Sequence, residues 1–309
     1  MAERTWKSYC KHADALLDMG RAEAALESAQ RALGLDIQQS EAWFEACRAL
    51  LALGRAEEAL VHAESGLQRR PDSPWGHRLR STALSMLERH AEALEEADEA
   101  IRLSPDEALG MRRRARCLYA LDRDEEALEQ AEAANAADPE SHYGYALHAT
   151  IALYLKRLGE AEAAARQGLA LAPGNVELLC RLGDILRMQD QPLEAMLAYR
   201  DALRIDPTEA RPKQGIRASG KELRAWRGCL LRMLLLYTML GAMVVAALAL
   251  EVSNALLLGL VVLTMLAGIG LESVLTERRF RTRLQRADPG LLELWRQVEA
   301  EARSATPRP

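Results

Sequence analysis

At 309 residues the chain is long enough for two domains, and its formal net charge of -5 is unevenly spread. Residues 1 to 209 hold 25 Lys+Arg against 37 Asp+Glu, a balance of -12, while residues 210 to 309 hold 15 against 8, a balance of +7. A first part this acidic repels phosphate and excludes nucleic acid as a general partner. With only 5% aromatic residues, 2 of them Phe, the core falls to Ala and Leu, which suit close-packed helices better than strands.

The opening stretch, MAERTWKSYC, has no apolar run that would serve as a secretory signal, so the bulk of the chain is expected in the cytoplasm. Cys10, Cys47, Cys117, Cys180 and Cys229 have no paired spacing for zinc or a redox couple and read as small buried hydrophobes. Basic residues are 35 Arg and 5 Lys, which with the Ala richness points to a GC-rich bacterial genome.

A 34-residue period then runs through the first two thirds. Ala25, Ala59, Ala93, Ala127, Ala161 and Ala195 keep it, as do Ala32, Gly66, Ala100, Ala134, Gly168 and Ala202, and Pro71, Pro105, Pro139, Pro173 and Pro207. Small residues let two helices approach closely, and Pro closes a helix because it lacks the N–H and clashes with the preceding turn. The unit LLCRLGDILRMQDQPLEAMLAYRDALRIDP carries all the marks at once.

On these positions the chain resembles the tetratricopeptide repeat family, whose unit is a pair of antiparallel helices. The resemblance implies an all-α solenoid of about six repeats over residues 1–209, at 6–39, 40–73, 74–107, 108–141, 142–175 and 176–209. Two departures stand out. His12, Arg80, Arg114 and His148 replace the family's large apolar residue in the first helix, so these sites are expected to be partly exposed or the helices rotated; repeat five is expected to shift its turn glycine to Gly159.

In this family, first-helix positions two, five, nine and twelve point into a concave groove. Carried onto this chain, position five gives Phe44, Arg78 and Arg112, position nine Arg48 and Arg116, and positions two and twelve Trp75, Tyr143 and Tyr119. Arg forks hold carboxylates bidentately and aromatic faces add contact area, so the resemblance implies a protein partner offering an acidic peptide or a free C-terminal carboxylate. The Lys and Asn of chaperone-tail-binding members are missing, and chaperone tails are not implied. The open alternative is that these Arg residues pair with Glu and Asp of neighbouring repeats.

Beyond the repeats, residues 210–229 read as a basic capping helix and connector. Met233 to Leu250 and Ala255 to Leu271 then run without a charge for 18 and 17 residues. As helices they would be roughly 26 to 27 Å long, close to the hydrocarbon thickness of a bilayer. A transmembrane helical hairpin is expected over 230–275, with spans at about 230–250 and 255–273 and a turn at Glu251 to Asn254. Seven basic residues between Arg211 and Arg232 and five between Arg278 and Arg286, with none in the turn, place both termini in the cytoplasm and the protein in the inner membrane. Trp226 and Tyr237 read as interfacial anchors, and Ala255 and Gly259 as a close-approach pair. Residues 276–309 form a basic tail whose segment from Asp288 puts Leu291, Trp295 and Val298 on one helical face, to lie on the bilayer or dock on a partner; the open alternative is a frayed tail with one helical segment.

Catalytic chemistry has no foothold in this pattern. The six His residues form no metal-ligand spacing, no Gly-rich phosphate loop or nucleophile elbow occurs, and paired acids such as Glu95 and Glu96 lie on second helices whose outer faces are solvated. No metal, cofactor, nucleic acid or small-molecule substrate is therefore expected. The expected function is that of a non-enzymatic membrane-anchored adaptor; the alternative is a subunit of a transport, secretion or envelope-assembly complex whose hairpin itself contacts membrane partners.

Overall fold

A computed structural model describes residues 5–223 and 278–305, and the regular structure among them is entirely α-helical. The chain divides into two compact units, Met1–Leu171 and Ala172–Pro309. The sixth repeat lies in the second of these units.

The first unit holds five helix pairs: α1 (Trp6–Asp18) with α2 (Ala22–Leu35), α3 (Ser40–Ala52) with α4 (Ala56–Arg69), α5 (Pro74–Met86) with α6 (His90–Leu103), α7 (Ala108–Ala120) with α8 (Asp124–Ala137), and α9 (His142–Tyr154) with α10 (Leu158–Leu171). The second unit holds α11 (Val176–Met188), α12 (Pro192–Ile205), α13 over residues 210–223, α14 over residues 278–287 and α15 (Pro289–Ala305). Side-chain caps start several first helices: Thr5, Ser73 and Asn175 accept from the amides of Ser8, Gly76 and Leu178 at 3.4, 3.2 and 3.0 Å.

One backbone position closes every first helix. Gly20, Gly54, Glu88, Asp122, Lys156 and Asp190 all have positive φ, between 57° and 75°, and they fall 34 residues apart. After each, the next amide bonds back to the helix, as Arg89 to the Leu84 carbonyl at 2.9 Å and Arg157 to that of Ala152 at 2.9 Å, which is the Schellman pattern. Only two of the six positions are glycine. The expected shift of the fifth turn to Gly159 is thus corrected: Gly159 lies inside α10, and Lys156 takes the left-handed conformation in register.

The small residues sit at the crossings as their size demands. Ala25, Ala59, Ala93, Ala127 and Ala161 in the first unit and Ala195 in the second are fully buried. Cys10, Cys47, Cys117 and Cys180 are buried free thiols, and burial raises those of Cys10 and Cys180 to about 11 and that of Cys47 to about 12. Cys229 lies outside the described residues.

In the second unit the tail folds back onto the sixth repeat. Phe280 and Leu284 of α14 and Leu291, Trp295 and Val298 of α15 are buried, together with Ile216 and Ser219 of α13. The Phe280 and Trp295 rings meet edge to face, centroids 5.1 Å apart. Arg200 of α12 holds the Asp288 carboxylate, which also accepts from the Gly290 amide at 2.7 Å and so caps α15. Lys213 reaches Glu301 at 3.0 Å. The apolar face of α15 is therefore covered by its own chain, which corrects the expectation that it lies on a bilayer or on a partner.

Among the described residues no helix is long and apolar enough to cross a membrane. The expected spans at 230–250 and 255–273, with Trp226, Tyr237, Ala255 and Gly259, lie outside the described residues.

Candidate peptide-binding face

The eight expected groove residues all belong to first helices of the first unit: Phe44 and Arg48 on α3, Trp75 and Arg78 on α5, Arg112, Arg116 and Tyr119 on α7, Tyr143 on α9. Consecutive first helices touch one another along the unit. The face they form is neither uniformly open nor uniformly free.

Phe44 is 0% exposed and must be withdrawn from the face. Its ring lies edge-on to Trp75, centroids 5.3 Å apart, and fills the space left by Gly66 of α4 and Gly76 of α5. A Cβ on Gly76 would stand 2.6 Å from Phe44 Cζ and 2.7 Å from Leu67 Cδ2, and one on Gly66 would press still harder on the ring. The physical reason is the small residue at the crossing: with Gly66 in place of Ala, the position-five side chain turns inward. Trp75 is half-buried beside it, while Tyr143 is 66% exposed.

Three of the four expected Arg residues already have carboxylate partners. Arg48 bonds Asp14 at 2.7 Å and Glu45 at 3.1 Å, Arg78 pairs with Glu107, and Arg112 reaches Asp138 at 3.3 Å and Ser141 Oγ at 3.0 Å. Each of these pairs except Arg48–Glu45 ties a first helix to a different element of the stack. Their contribution is positioning, and the alternative of intramolecular pairing holds for them.

Arg116 is different: it is exposed, and among the described residues it has no ion-pair partner. One turn earlier on α7, Arg113 is half-buried and likewise has none. Burial, with Arg116 and Arg78 adding like charge, pushes the Arg113 guanidinium down to about 10. It still carries its charge at neutral pH, in a place where a cation gains from any anion brought to it. Tyr119 flanks this cluster, edge to face with Tyr154 at 5.6 Å between centroids. Arg113 escaped the sequence reading because position six is not a groove position of the family; the run Arg112, Arg113, Arg114 was the available signal.

The polar replacements at position seven are also explained. They lie among the second helices, opposite in role to the face above. Arg80 bridges Glu64 of α4 at 3.4 Å and Glu96 of α6 at 2.8 Å, Arg114 bonds Asp98 at 2.6 Å, and His148 contacts Asn135 of α8 at 3.3 Å and Glu160 of α10 at 2.9 Å. Glu96, expected to be solvated, is half-buried and also accepts from His77 at 2.8 Å, which raises the His77 pKa. Only His12, with no second helix before it, is exposed.

Antiparallel helix pairs repeated every 34 residues, with small residues at the crossings and a left-handed residue closing each first helix, define a helical-repeat scaffold. Models described as tetratricopeptide repeat match residues 16–82, 80–142 and 147–210. Together they span more than half of the sequence, and the chain belongs to the tetratricopeptide repeat family, whose members are generally protein-interaction scaffolds. Among solved structures it resembles TTC0263 of Thermus thermophilus, a thermophilic repeat protein, at 25% identity and a TM-score of 0.56, over 59% of this chain and 100% of that one. It also resembles PilW, a type IV pilus biogenesis factor, at 16% identity and a TM-score of 0.60 over 68% and 97%. A third likeness is to a chain of the Cut9–Hcn1 hetero-tetramer of the APC/C, at 13% and 0.65 over 71% and 43%. These last two likenesses show the fold alone. No curated protein matches the sequence.

Proposed function

We propose that this protein is a non-enzymatic, membrane-anchored adaptor of the inner membrane that captures an acidic peptide segment, or a free C-terminal carboxylate, on the first-helix face around α7. The observation that carries the capture is the pair Arg113 and Arg116, adjacent cations without carboxylate partners among the described residues, next to Arg78, Arg112, Tyr119 and Tyr143. A carboxylate placed there gains charge-assisted hydrogen bonds and relieves the like-charge cluster. The paired Arg78 and Arg112 hold the rim in place.

The anchoring half rests on the two uncharged runs at Met233–Leu250 and Ala255–Leu271. Two observations support it. The described helices that flank these runs in sequence, α13 and α14, belong to the same compact unit, as a hairpin with both ends on one side requires. Arg278, Arg279, Arg281, Arg283 and Arg286 are exposed along α14, where they would face anionic headgroups. Confinement at a membrane raises the effective concentration of a weakly held partner without any new contact.

The capture is tested by fluorescence anisotropy of acidic peptides, with and without amidated C-termini, against the full chain in mild detergent. Reversal of Arg113 and Arg116 to Glu is expected to weaken binding by about a hundredfold, a loss on the order of 3 kcal/mol, with helicity unchanged. Equal binding by the reversed chain rejects the site, and equal binding of free and amidated peptides assigns recognition to acidic side chains.

A further inference from the structure

At position seven of the third repeat, the carboxylates of Glu64 and Glu96 share the guanidinium of Arg80, with His77 on Glu96. The fifth repeat also sets acids of two second helices around position seven, with Glu132 in register with Glu64 and Glu160 one turn before the register of Glu96, but on a different centre. Glu132 of α8 and Glu160 of α10 face His148 of α9, and one ligand atom from each of the three lies within 4.8 Å of the others. Imidazole replaces guanidinium, so a fixed positive charge has been removed from between two carboxylates. Arg157 stands only at the outer oxygen of Glu160, 3.8 Å from Oε2, which leaves Oε1 turned to His148 Nε2 at 2.9 Å.

The second observation is Asn135. This amide is 8% exposed and its Nδ2 lies 3.3 Å from His148 Nδ1, yet its Oδ1 has no hydrogen-bond partner. The oxygen rests against Gly144, where a Cβ would collide with it. Turning the amide over places the oxygen on the Nδ1–H of the neighbouring imidazole and the nitrogen against Gly144. The ring is then held in the tautomer whose Nε2 presents a lone pair to Glu160 Oε1. Two acceptors at this distance are held together by a proton or by a metal cation between them, and the metal is the case in which Glu132 also has a role. An Nδ1–H held by an oxygen acceptor, with Nε2 free to coordinate, is the arrangement that orients a metal-ligating histidine.

We infer that Glu132, His148 Nε2 and Glu160 Oε1 form a binding site for a divalent first-row cation of the zinc class, with Asn135 as the positioning residue. One imidazole and two carboxylates suit zinc, cobalt or nickel, and three protein ligands leave one coordination position for water or a partner's side chain. The cation would clamp α8, α9 and α10 together, the work that Arg80 does for α4, α5 and α6.

The test titrates Zn2+ into the full chain in mild detergent after chelator treatment, by calorimetry, with Co2+ absorption as the reporter of coordination. One equivalent of saturable binding is expected. His148→Gln, Glu160→Gln and Glu132→Gln should each weaken it by about tenfold or more, and Asn135→Ala by about tenfold through the ring's orientation. Glu132 is exposed, so its substitution leaves the fold intact and keeps the test decisive if the buried variants unfold. No saturable uptake, or uptake unchanged in Glu132→Gln, overturns the site. The Arg113 and Arg116 reversal leaves zinc binding untouched, so the two proposals fail independently.

Discussion

Glu45 shows how a single residue couples the repeats to pH. It is buried between α3 and α1, beside Arg48 and Asp14, and burial raises its pKa to about 7 despite the attraction of Arg48. A carboxyl whose folded pKa lies above its unfolded value binds a proton on folding. The folded state therefore loses stability as pH climbs from about 4.5 to about 7, and below that window the penalty vanishes. Glu45→Gln removes the titration. Relative to the wild type it should gain on the order of 1–3 kcal/mol between about pH 5 and pH 8, read from melting of the full chain at both values; identical pH slopes for the two proteins would disprove the assignment. The left-handed residues are the other feature of this scale. Glycine at two of six turns was visible, but Glu88, Asp122, Lys156 and Asp190 adopt the same conformation without any local signature, because the helix-closing hydrogen bond imposes it.

At the scale of helices, packing of one pair on the next depends on which side of each crossing carries the bulk. Phe44 occupies the space vacated by Gly66 and Gly76, so α4 and α5 approach each other across its ring. Gly66→Ala forces the ring out of a site with no spare room and should cost about 1–3 kcal/mol by overpacking. The double variant with Phe44→Leu should recover most of that loss. Denaturant unfolding checks both; a neutral single variant would mean that the crossing can expand. The sequence register located every crossing from its small residues, yet it could not say that position five of the second repeat turns inward, because that depends on Gly66 of the next helix and Gly76 of the one after. For the same reason the position-seven residues appeared merely polar. Their partners Glu64, Glu96, Asp98, Asn135 and Glu160 come from second helices at separations set by the pairing of helices.

For the molecule as a whole, the second compact unit reaches back into the repeats. The sixth repeat joins α13, α14 and α15 in the second unit, and the tail helix spends its apolar face there. The uncharged runs at Met233–Leu250 and Ala255–Leu271 lie outside the described residues. If they enter a bilayer, the full chain should sediment with membranes from lysed cells and stay there through alkaline carbonate washing, and a chain lacking residues 230–275 should move to the supernatant. An intact chain found in the supernatant without detergent would end the anchoring proposal.

The chain's own order of residues determined the helical class, the 34-residue unit and the small-residue crossings, since these follow from local propensity and from spacing that each helix pair satisfies within itself. It also located the basic cluster of α7 within a few residues. Which of those cations keep a carboxylate and which do not, that Phe44 is core, that Glu132, His148 and Glu160 converge, and that α15 packs on its own unit were decided only by tertiary structure. Each depends on charges or volumes contributed by a different helix, and a one-dimensional pattern carries no record of which helix that will be.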